Sequence, residues 1–192
     1  MEDKLRAFIA IELAPELKGT IASFESGLKT TEPPGLRWVK PDLLHLTLKF
    51  LGDITQTQAQ EVSRAISRVV VDNHPFQLQF IGSGAFPNWR KARTLWMGLN
   101  KSIELDSLFQ QLDAALGELG FFPEDKPFSP HLTVCRVSDT ADPRKVQQLQ
   151  KGFDAFPAST LPLWKVNEVV FFKSVLKPGG PIYTPISKHI LK

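Results

Sequence analysis

Apolar and polar residues alternate one by one in the stretch HLTLKFLG. Every second residue from Leu44 to Phe50 is apolar, and the residues between them are His45, Thr47 and Lys49. Because successive side chains of a strand point to opposite faces, this period of two predicts a strand with one apolar and one polar face. We therefore expect Phe50 in the core and Lys49 on the face of His45.

A second stretch, HLTVCRV, repeats the sequence His-Leu-Thr followed by an aliphatic residue. Alternation places Thr133 and Cys135 on the face of His131, and Arg136 on the opposite face unless the strand ends or bulges there. The two histidines, at 45 and 131, are 86 residues apart, a little under half of the chain. The order of predicted elements around the two stretches is also similar, so an internal duplication is our hypothesis.

The rest of the chain divides into helical and extended patterns. Helical spacing and capping residues predict helices over 15–29, 55–71 and 102–117, and a short fourth helix that begins at Asp142-Pro143. Extended patterns predict strands over 6–13, 36–39, 43–52, 75–86, 93–99, 129–137, 163–176 and 180–186. Since no glycine-rich phosphate turn joins strand to helix, we predict an α+β fold with antiparallel sheet.

Composition is that of an ordinary globular protein. The 192 residues are 42% hydrophobic and 22% charged, enough to form a core without a disulfide or a metal. Cys135 is the single cysteine, which excludes an internal disulfide and suggests a reducing compartment, so we expect a cytoplasmic protein. The sequence shows neither a transmembrane run nor a signal-peptide cleavage pattern. A net charge of +3 is compatible with a polyanionic substrate without indicating one.

The two repeated stretches carry a recognisable chemistry. Imidazoles with an ordinary pKa near ~6.5 can divide the roles of proton donor and proton acceptor at neutral pH. Threonine hydroxyls are short neutral donors that suit phosphate oxygens. If the His-Thr faces of two similar halves meet across a groove, the four side chains suit in-line hydrolysis of a phosphodiester without a metal.

Other uses of these residues have less support in the sequence. A zinc site needs three or four protein ligands, and no Cys, Asp or Glu recurs beside both stretches. Neither the G-x-S-x-G string of serine hydrolases nor the G-x-x-x-x-G-K-[ST] phosphate loop is present. We therefore expect no metal and no cofactor.

The sequence resembles the 2H phosphoesterases, whose signature is a pair of H-x-T-x motifs on two strands. The closer resemblance is to the RNA 2′,3′-cyclic phosphodiesterase branch, historically called 2′-5′ RNA ligases. It rests on strings that span nearly the whole chain: RAFIAIEL, RWVKPDLLHLTLKFLG, FPNWRKARTLWMGL, KPFSPHLTVCR and FFKSVLKPGGPIY. The resemblance implies one domain over 1–192 made of two intertwined lobes with pseudo-two-fold symmetry. Each lobe would have an antiparallel sheet, outer helices and one motif, with the active-site groove between the lobes.

The same resemblance implies an activity and residue roles. The reaction would be metal-independent opening of an RNA 2′,3′-cyclic phosphate to a 2′-phosphomonoester, with ligation as its reverse. His45 would be the proton donor, His131 the proton acceptor, and Thr47 and Thr133 would hold the phosphate. The residues alone do not decide which histidine donates the proton and which accepts it, because a pseudo-symmetric site accepts either assignment on chemical grounds. We expect a monomer that acts on RNA and has no membrane partner.

Further side chains have two readings each. Arg136 is either a phosphate contact or a surface charge, and Tyr183 is either a groove residue or a packed strand aromatic. Trp38 either stacks on a base of the substrate or packs against the protein. Lys49 either contacts phosphate or is a solvated lysine, and the second is favoured. For the cluster of Arg90, Lys91 and Arg93, one prediction is contact with the phosphates of an RNA backbone, and the other is a solvent-exposed loop without a binding role. His74 and His189 lack a threonine two residues later, and we predict structural or surface roles for both.

Two alternative functions remain open at the level of sequence. One keeps the fold and changes the substrate to a small cyclic nucleotide, such as an ADP-ribose cyclic phosphate, or to a 2′-5′ linked oligonucleotide. The other is a non-catalytic RNA-binding module. Two intact histidines count against the binding module, since phosphate binding alone does not require two titrating groups.

Overall fold

A computed structural model of the chain describes residues 4–29 and 34–192. Within these ranges there are four α-helices, which are α1 (Pro15–Lys29), α2 (Gln56–Val70), α3 (Ile103–Gly117) and α4 (Pro143–Asp154). The strands are β1 (Leu5–Glu12), β2 (Leu36–Trp38), β3 (His45–Ile54), β4 (Phe76–Leu78), β5 (Phe80–Phe86), β6 (Thr94–Leu99), β7 (His131–Val137), β8 (Trp164–Val166), β9 (Glu168–Lys177) and β10 (Gly180–Ile190).

The predicted helices are confirmed, and side-chain caps explain where three of them begin. Thr55 forms a capping box with Gln58 at the start of α2. The hydroxyl of Ser102 accepts the Leu105 N–H at the start of α3, and the carboxylate of Asp142 accepts the Arg144 N–H at α4. These caps satisfy backbone donors that have no partner within the helix.

Two predicted strands each break into two. The stretch 75–86 divides into β4 and β5, and the stretch 163–176 divides into β8 and β9. The short pieces pair with each other in a two-stranded sheet, with Phe76 opposite Val166 and Leu78 opposite Trp164. The break in the first stretch is at Gln79, whose N–H donates to the side chain of Asn100 at 2.7 Å. Period-two patterning continues across such a break, so the sequence does not reveal it.

The large sheet confirms the predicted antiparallel α+β class. Its strand order is β10-β9-β1-β3-β7-β6-β5, and β2 pairs with β7 beside it. The two sheets expected for two lobes are therefore joined in one. A single residue pair, Leu46 opposite Leu132, links β3 of one half to β7 of the other. The two strands that carry the His-Leu-Thr repeats are thus antiparallel neighbours at the centre.

The two faces of the large sheet have different surroundings. One buried cluster combines residues of all four helices with strand residues such as Ile9, Leu46 and Leu132, so the helices cover that face. Phe8, Ala10, Val170 and Phe172 alternate with those strand residues and form a separate cluster with Tyr183. We call this second, helix-free side the groove face. Among the described helices, none combines the length and the apolar character needed to span a membrane.

Candidate active site

Both His-Thr pairs lie on the groove face, next to each other at the join of the two halves. The antiparallel pair of Leu46 with Leu132 fixes the register between the strands. Continuing that register places His45 beside Thr133 and His131 beside Thr47. All four side chains are half-buried, whereas the residues between them are buried on the helix side. The structure therefore brings the four predicted site residues into one place.

The two imidazoles are held in the same way. Nδ1 of His45 lies 2.7 Å from the carbonyl oxygen of Leu43, and Nδ1 of His131 lies 2.7 Å from that of Ser129. Only a protonated nitrogen can donate to a carbonyl, so these bonds assign the Nδ1–H tautomer to both rings. Each Nε2 then has its lone pair available to take a proton, or a proton to give when the ring is charged.

Aromatic rings flank each imidazole. Phe8 and Tyr183 lie 4.9 Å and 5.4 Å from the ring of His45, measured between ring centroids. Phe86 and Trp96 lie 5.0 Å and 6.3 Å from the ring of His131. These contacts limit rotation of the imidazoles and remove water from around them.

Burial changes the acid-base behaviour of both histidines. The pKa of His45 is lowered to about 4, chiefly because burial disfavours the charged ring, while the Leu43 carbonyl opposes the shift. The positive charge of Arg136 lowers it further, as does that of His131 when the His131 ring is protonated. Burial and Arg136 also lower the pKa of His131, against the Ser129 carbonyl. Both rings are therefore mainly neutral at pH 7 in the free protein.

A β-bulge follows the threonine of each motif and reverses the alternation. In the pairing of β1 with β3, Ala10 is opposite Thr47 and Ile9 is opposite Lys49, so Leu48 is an extra residue. In the pairing of β6 with β7, Trp96 is opposite Thr133 and Leu95 is opposite Cys135, so Val134 is the corresponding extra residue. Strand residues after a bulge face the other way from strict alternation.

The bulges correct three predictions. Lys49 does not share the face of His45, because it turns into the protein and is 6% exposed. Its ammonium forms an ion pair with Asp113 of α3 and donates to the carbonyl oxygen of Phe122 at 2.8 Å. Cys135 is buried in the main core and not on the face of His131. Phe50 is not in the core but 56% exposed, with its ring 6.1 Å from that of Phe8.

Arg136 turns toward the groove as a result of the second bulge. Its charge acts on the pKa of His45, His131 and Tyr183, which shows that it is near all three groups. Burial raises the pKa of the Tyr183 phenol, while Arg136 and Arg6 oppose that shift. Both side chains therefore lie on the groove side of the sheet, and a contact of Arg136 with phosphate stays a prediction.

Trp38, left open between stacking and packing, lies away from the groove. It is opposite Cys135 in the pairing of β2 with β7, so it shares the buried face of Cys135. Its ring stacks on Phe153 of α4 with centroids 6.3 Å apart. The reading of Trp38 as a substrate contact is therefore wrong, and its role is packing.

Trp96 and Phe86 also border the groove, beside His131, although the sequence pattern does not indicate this. Trp96 is directly opposite Thr133, and its ring lies over Gly84 and Gly98, where a Cβ would come within 2.4 Å and 3.1 Å of it. The alternation of Thr94, Trp96 and Gly98 is visible in the sequence. What the sequence cannot reveal is that β6 is the neighbour of β7.

The remaining histidines have structural contacts. His189 is buried, and its two ring nitrogens hydrogen-bond the hydroxyls of Ser67 and Ser187. His74 contacts the carbonyl oxygen of Lys192. Over residues 4–29 and 34–192, no group of three or more His, Cys, Asp or Glu side chains is arranged to hold a metal ion.

Comparison with known proteins identifies relatives of the whole chain. The family model described as LigT like Phosphoesterase matches twice, over residues 11–96 and 98–183. Each match contains one His-Leu-Thr strand, which supports the hypothesis of an internal duplication. A protein of Methanothermobacter thermautotrophicus named RNA 2′,3′-cyclic phosphodiesterase is 32% identical over 181 residues, covering 94% of this chain and 96% of the relative.

Solved structures show the same fold. A crystal structure of a Thermus thermophilus protein superposes with a TM-score of 0.79 at 27% identity and covers 97% of this chain and 98% of its own. E. coli LigT in complex with 3′-AMP superposes with a TM-score of 0.75 at 26% identity and covers 99% of both chains. The similarity therefore extends over both halves of the fold.

Proposed function

The chain belongs to the family of LigT-like phosphoesterases, and from this premise we propose that it hydrolyses 2′,3′-cyclic phosphates at RNA ends to 2′-phosphomonoesters. His45 and His131 are the acid-base pair, and no metal ion takes part. The observation that carries the proposal is the matched pair of imidazoles, each fixed through Nδ1 and adjacent across one strand pair. Relatives named RNA 2′,3′-cyclic phosphodiesterase and the 3′-AMP complex of E. coli LigT support the substrate class.

In the proposed reaction, the oxygen of a water molecule attacks phosphorus in line with the 3′ oxygen. His131 takes a proton from the water, and His45 gives a proton to the 3′ oxygen while the P–O3′ bond breaks. The products are a 2′-phosphomonoester and a 3′ hydroxyl, and exchange with solvent returns the two rings to their starting protonation. Each proton transfer contributes a rate factor of about 10²–10⁴.

The hydroxyls of Thr47 and Thr133 and the guanidinium of Arg136 hold the non-bridging phosphate oxygens. Each threonine lies beside the histidine of the other motif, so a phosphate between the imidazoles meets a donor from both halves. Arg136 adds a fixed positive charge close to both rings. Such preorganised donors stabilise the charge that develops on phosphate in the transition state.

The lowered pKa values require a proton to enter with the substrate. His45 has the strongly lowered pKa, about 4, so the free protein at pH 7 holds almost no proton on the proposed donor. A phosphodiester anion between the rings favours the charged imidazole and raises its pKa. We therefore expect the reactive complex to contain one proton shared by the pair, with substrate binding and protonation coupled.

The first experiment uses a short RNA with a 2′,3′-cyclic phosphate end and a chelator in the buffer. Wild type is compared with His45→Ala and His131→Ala, and chromatography separates the 2′-phosphate from the 3′-phosphate product. A 2′-phosphate made by wild type and lost in both variants supports the proposal. Turnover that survives both substitutions, or that disappears with the chelator, contradicts it.

A bridging 3′ sulfur separates the two roles. Sulfur is a better leaving group than oxygen and needs little protonation, so it rescues a variant that lacks only the proton donor. We expect His45→Ala to regain activity on the 3′-thio substrate and His131→Ala to remain inactive. The opposite pattern reverses the assignment of donor and acceptor without changing the reaction.

We propose that the active form is a monomer, since the groups of the proposed site all come from one chain and one copy suffices. We place the activity in the cytoplasm, where a buried thiol such as that of Cys135 stays reduced.

A further inference from the structure

Two arginines lie side by side at one end of the groove face. Arg37 of β2 is directly opposite Arg136 of β7, and both are exposed. Directly opposed like charges destabilise a pair of strands. Neither guanidinium forms an ion pair within residues 4–29 and 34–192. An anion bound over both arginines would remove this repulsion.

The loop between β5 and β6 adds further cations at the same end. It is closed by Arg93, whose N–H donates to the Phe86 carbonyl and whose carbonyl accepts from Val137, the residue after Arg136. The side chain of Asn88 accepts the backbone N–H groups of Arg90 and Lys91. These bonds hold the loop in a defined conformation against the end of β7.

Packing fixes this loop on the protein as well. The ring of Trp89 lies 5.4 Å from that of Phe153 in α4. A shallow cavity of about 350 Å³ lies beside it, between this loop and the start of α4, and Arg90, Lys91 and Arg93 line it together with Pro143 and Val146. The cations are therefore presented by an ordered surface with room for a ligand.

The charges in this region are only partly compensated. Arg93 forms an ion pair with Asp139. Arg90 and Lys91 are exposed, and no carboxylate among the described residues pairs with either of them. We use the name basic rim for Arg37, Arg90 and Lys91, which lie at the same end of β7 as Arg136.

The other end of the groove has the opposite character. An aromatic cluster lies there, in which Phe50 and Tyr183 reach the surface while Phe8 and Phe172 are buried beneath them. The cations there have acidic neighbours: Arg6 is directly opposite Asp53, and Lys188 pairs with Glu12 and Glu168. The two ends thus suit different parts of a nucleic acid, since aromatic rings stack on bases and unpaired cations attract backbone phosphates.

We propose that the basic rim binds the backbone phosphates of the nucleotides that precede the cyclic end, so that the preferred substrate is a polynucleotide and not a cyclic mononucleotide. This inference rests on the proposed function, because it assumes that the cyclic phosphate lies between His45 and His131. The chain then leaves the groove past Arg136 and crosses the basic rim.

The test compares kcat/KM for a short RNA with a 2′,3′-cyclic phosphate end and for a 2′,3′-cyclic mononucleotide. The substituted protein is Arg90→Gln/Lys91→Gln, and the control is Lys101→Gln/Lys165→Gln, which removes two exposed charges away from the basic rim. We expect the RNA-to-mononucleotide ratio to fall about 10-fold or more in the rim variant and to stay at the wild-type value in the control.

Salt dependence gives a second readout on the same proteins. Each single-strand phosphate contact contributes about 0.7 to the slope of log affinity against log salt concentration. We expect the slope for RNA to decrease by about 1 in the rim variant. A wild type that opens both substrates with equal efficiency, or a rim variant identical to the control, overturns this inference alone. A wild type that opens neither substrate overturns the proposed function, and the inference with it.

Discussion

Phe50 and Arg136 occupy equivalent positions in the two halves, each five residues after the histidine of its motif, and both face the groove. The bulges at Leu48 and Val134 turn them there in the same way. The backbone is thus repeated while the side chains differ, one aromatic and one cationic. The repeated backbone therefore carries two different side chains at one site. A substrate with a base on one side and a phosphate on the other requires such an asymmetry.

Substitution of Arg136 tests whether its charge acts on the reaction. Arg136→Gln should lower kcat/KM for a cyclic-phosphate RNA by about 100-fold, because a preorganised cation beside the phosphate is lost. It should also move the pH profile to higher pH, since Arg136 lowers the pKa of both histidines. Arg136→Lys keeps the charge and should leave the profile in place. A Gln variant with reduced activity and an unmoved profile would indicate a structural role only.

The local patterns predicted the elements well, and they predicted the face of the two histidines and two threonines of the repeated stretches. His45, Thr47, His131 and Thr133 precede the bulges, so strict alternation assigns their face correctly. The predicted face is wrong for the residues after the bulges, Lys49 and its equivalent Cys135. The pattern of apolar and polar residues in a strand does not reveal where a bulge inserts one extra residue.

Relations between distant strands account for the other differences. Trp38 and Trp96 are both tryptophans in short strands, yet one packs on α4 and the other borders His131. The deciding fact is which face of β7 each strand residue shares, and that follows from the order β2-β7-β6. Strand order is a property of the whole chain, so a local pattern does not determine it.

The ion pair of Lys49 with Asp113 should contribute to stability through its burial. The two side chains are 6% and 16% exposed. Lys49→Met removes the partner of a largely buried carboxylate and should lower the free energy of unfolding by about 3 kcal/mol, measured by urea denaturation. Lys49→Met/Asp113→Leu should recover most of this loss.

Lys188 provides the matched control for that experiment, since its pairs with Glu12 and Glu168 are on the surface. Lys188→Met should cost less than about 1 kcal/mol. Equal losses at Lys49 and Lys188 would show that burial of the first pair has no energetic consequence.

Gly84 should be required for the position of Trp96. A Cβ at residue 84 would lie 2.4 Å from the indole ring, so Gly84→Ala forces the ring away from Phe86 and His131. We expect a loss of about 1–3 kcal/mol in unfolding free energy, together with lower kcat/KM. Gly19→Ala is the control: nothing lies within 4 Å of its Cβ, and helix propensity should make it slightly stabilising. An unchanged Gly84→Ala protein would contradict the observed packing.

The pH dependence of kcat/KM should show the proton requirement of the free enzyme. In the proposed reaction the pair of imidazoles holds one proton, and the pKa values of both rings are lowered in the free protein. Because deprotonation is already complete near neutrality, kcat/KM should fall about tenfold per pH unit above pH ~6.5. The profile of kcat should extend to higher pH, since bound phosphate raises the imidazole pKa values. A kcat/KM that rises from pH ~6.5 to ~8 would contradict the single-proton scheme.

Stability should decrease in acid partly because of His45. Its pKa is about 4 in the folded protein and near ~6.5 when unfolded, so the unfolded state binds more protons between these values. The contribution of the neutral ring is complete above pH ~6.5 and is lost as pH falls toward ~4, by at most about 3 kcal/mol. His45→Asn keeps a donor for the Leu43 carbonyl but does not titrate. Urea unfolding from about pH 7 to about pH 4.5 should therefore show a smaller acid loss in His45→Asn than in wild type. Parallel losses in the two proteins would mean that His45 titrates alike in the folded and unfolded states.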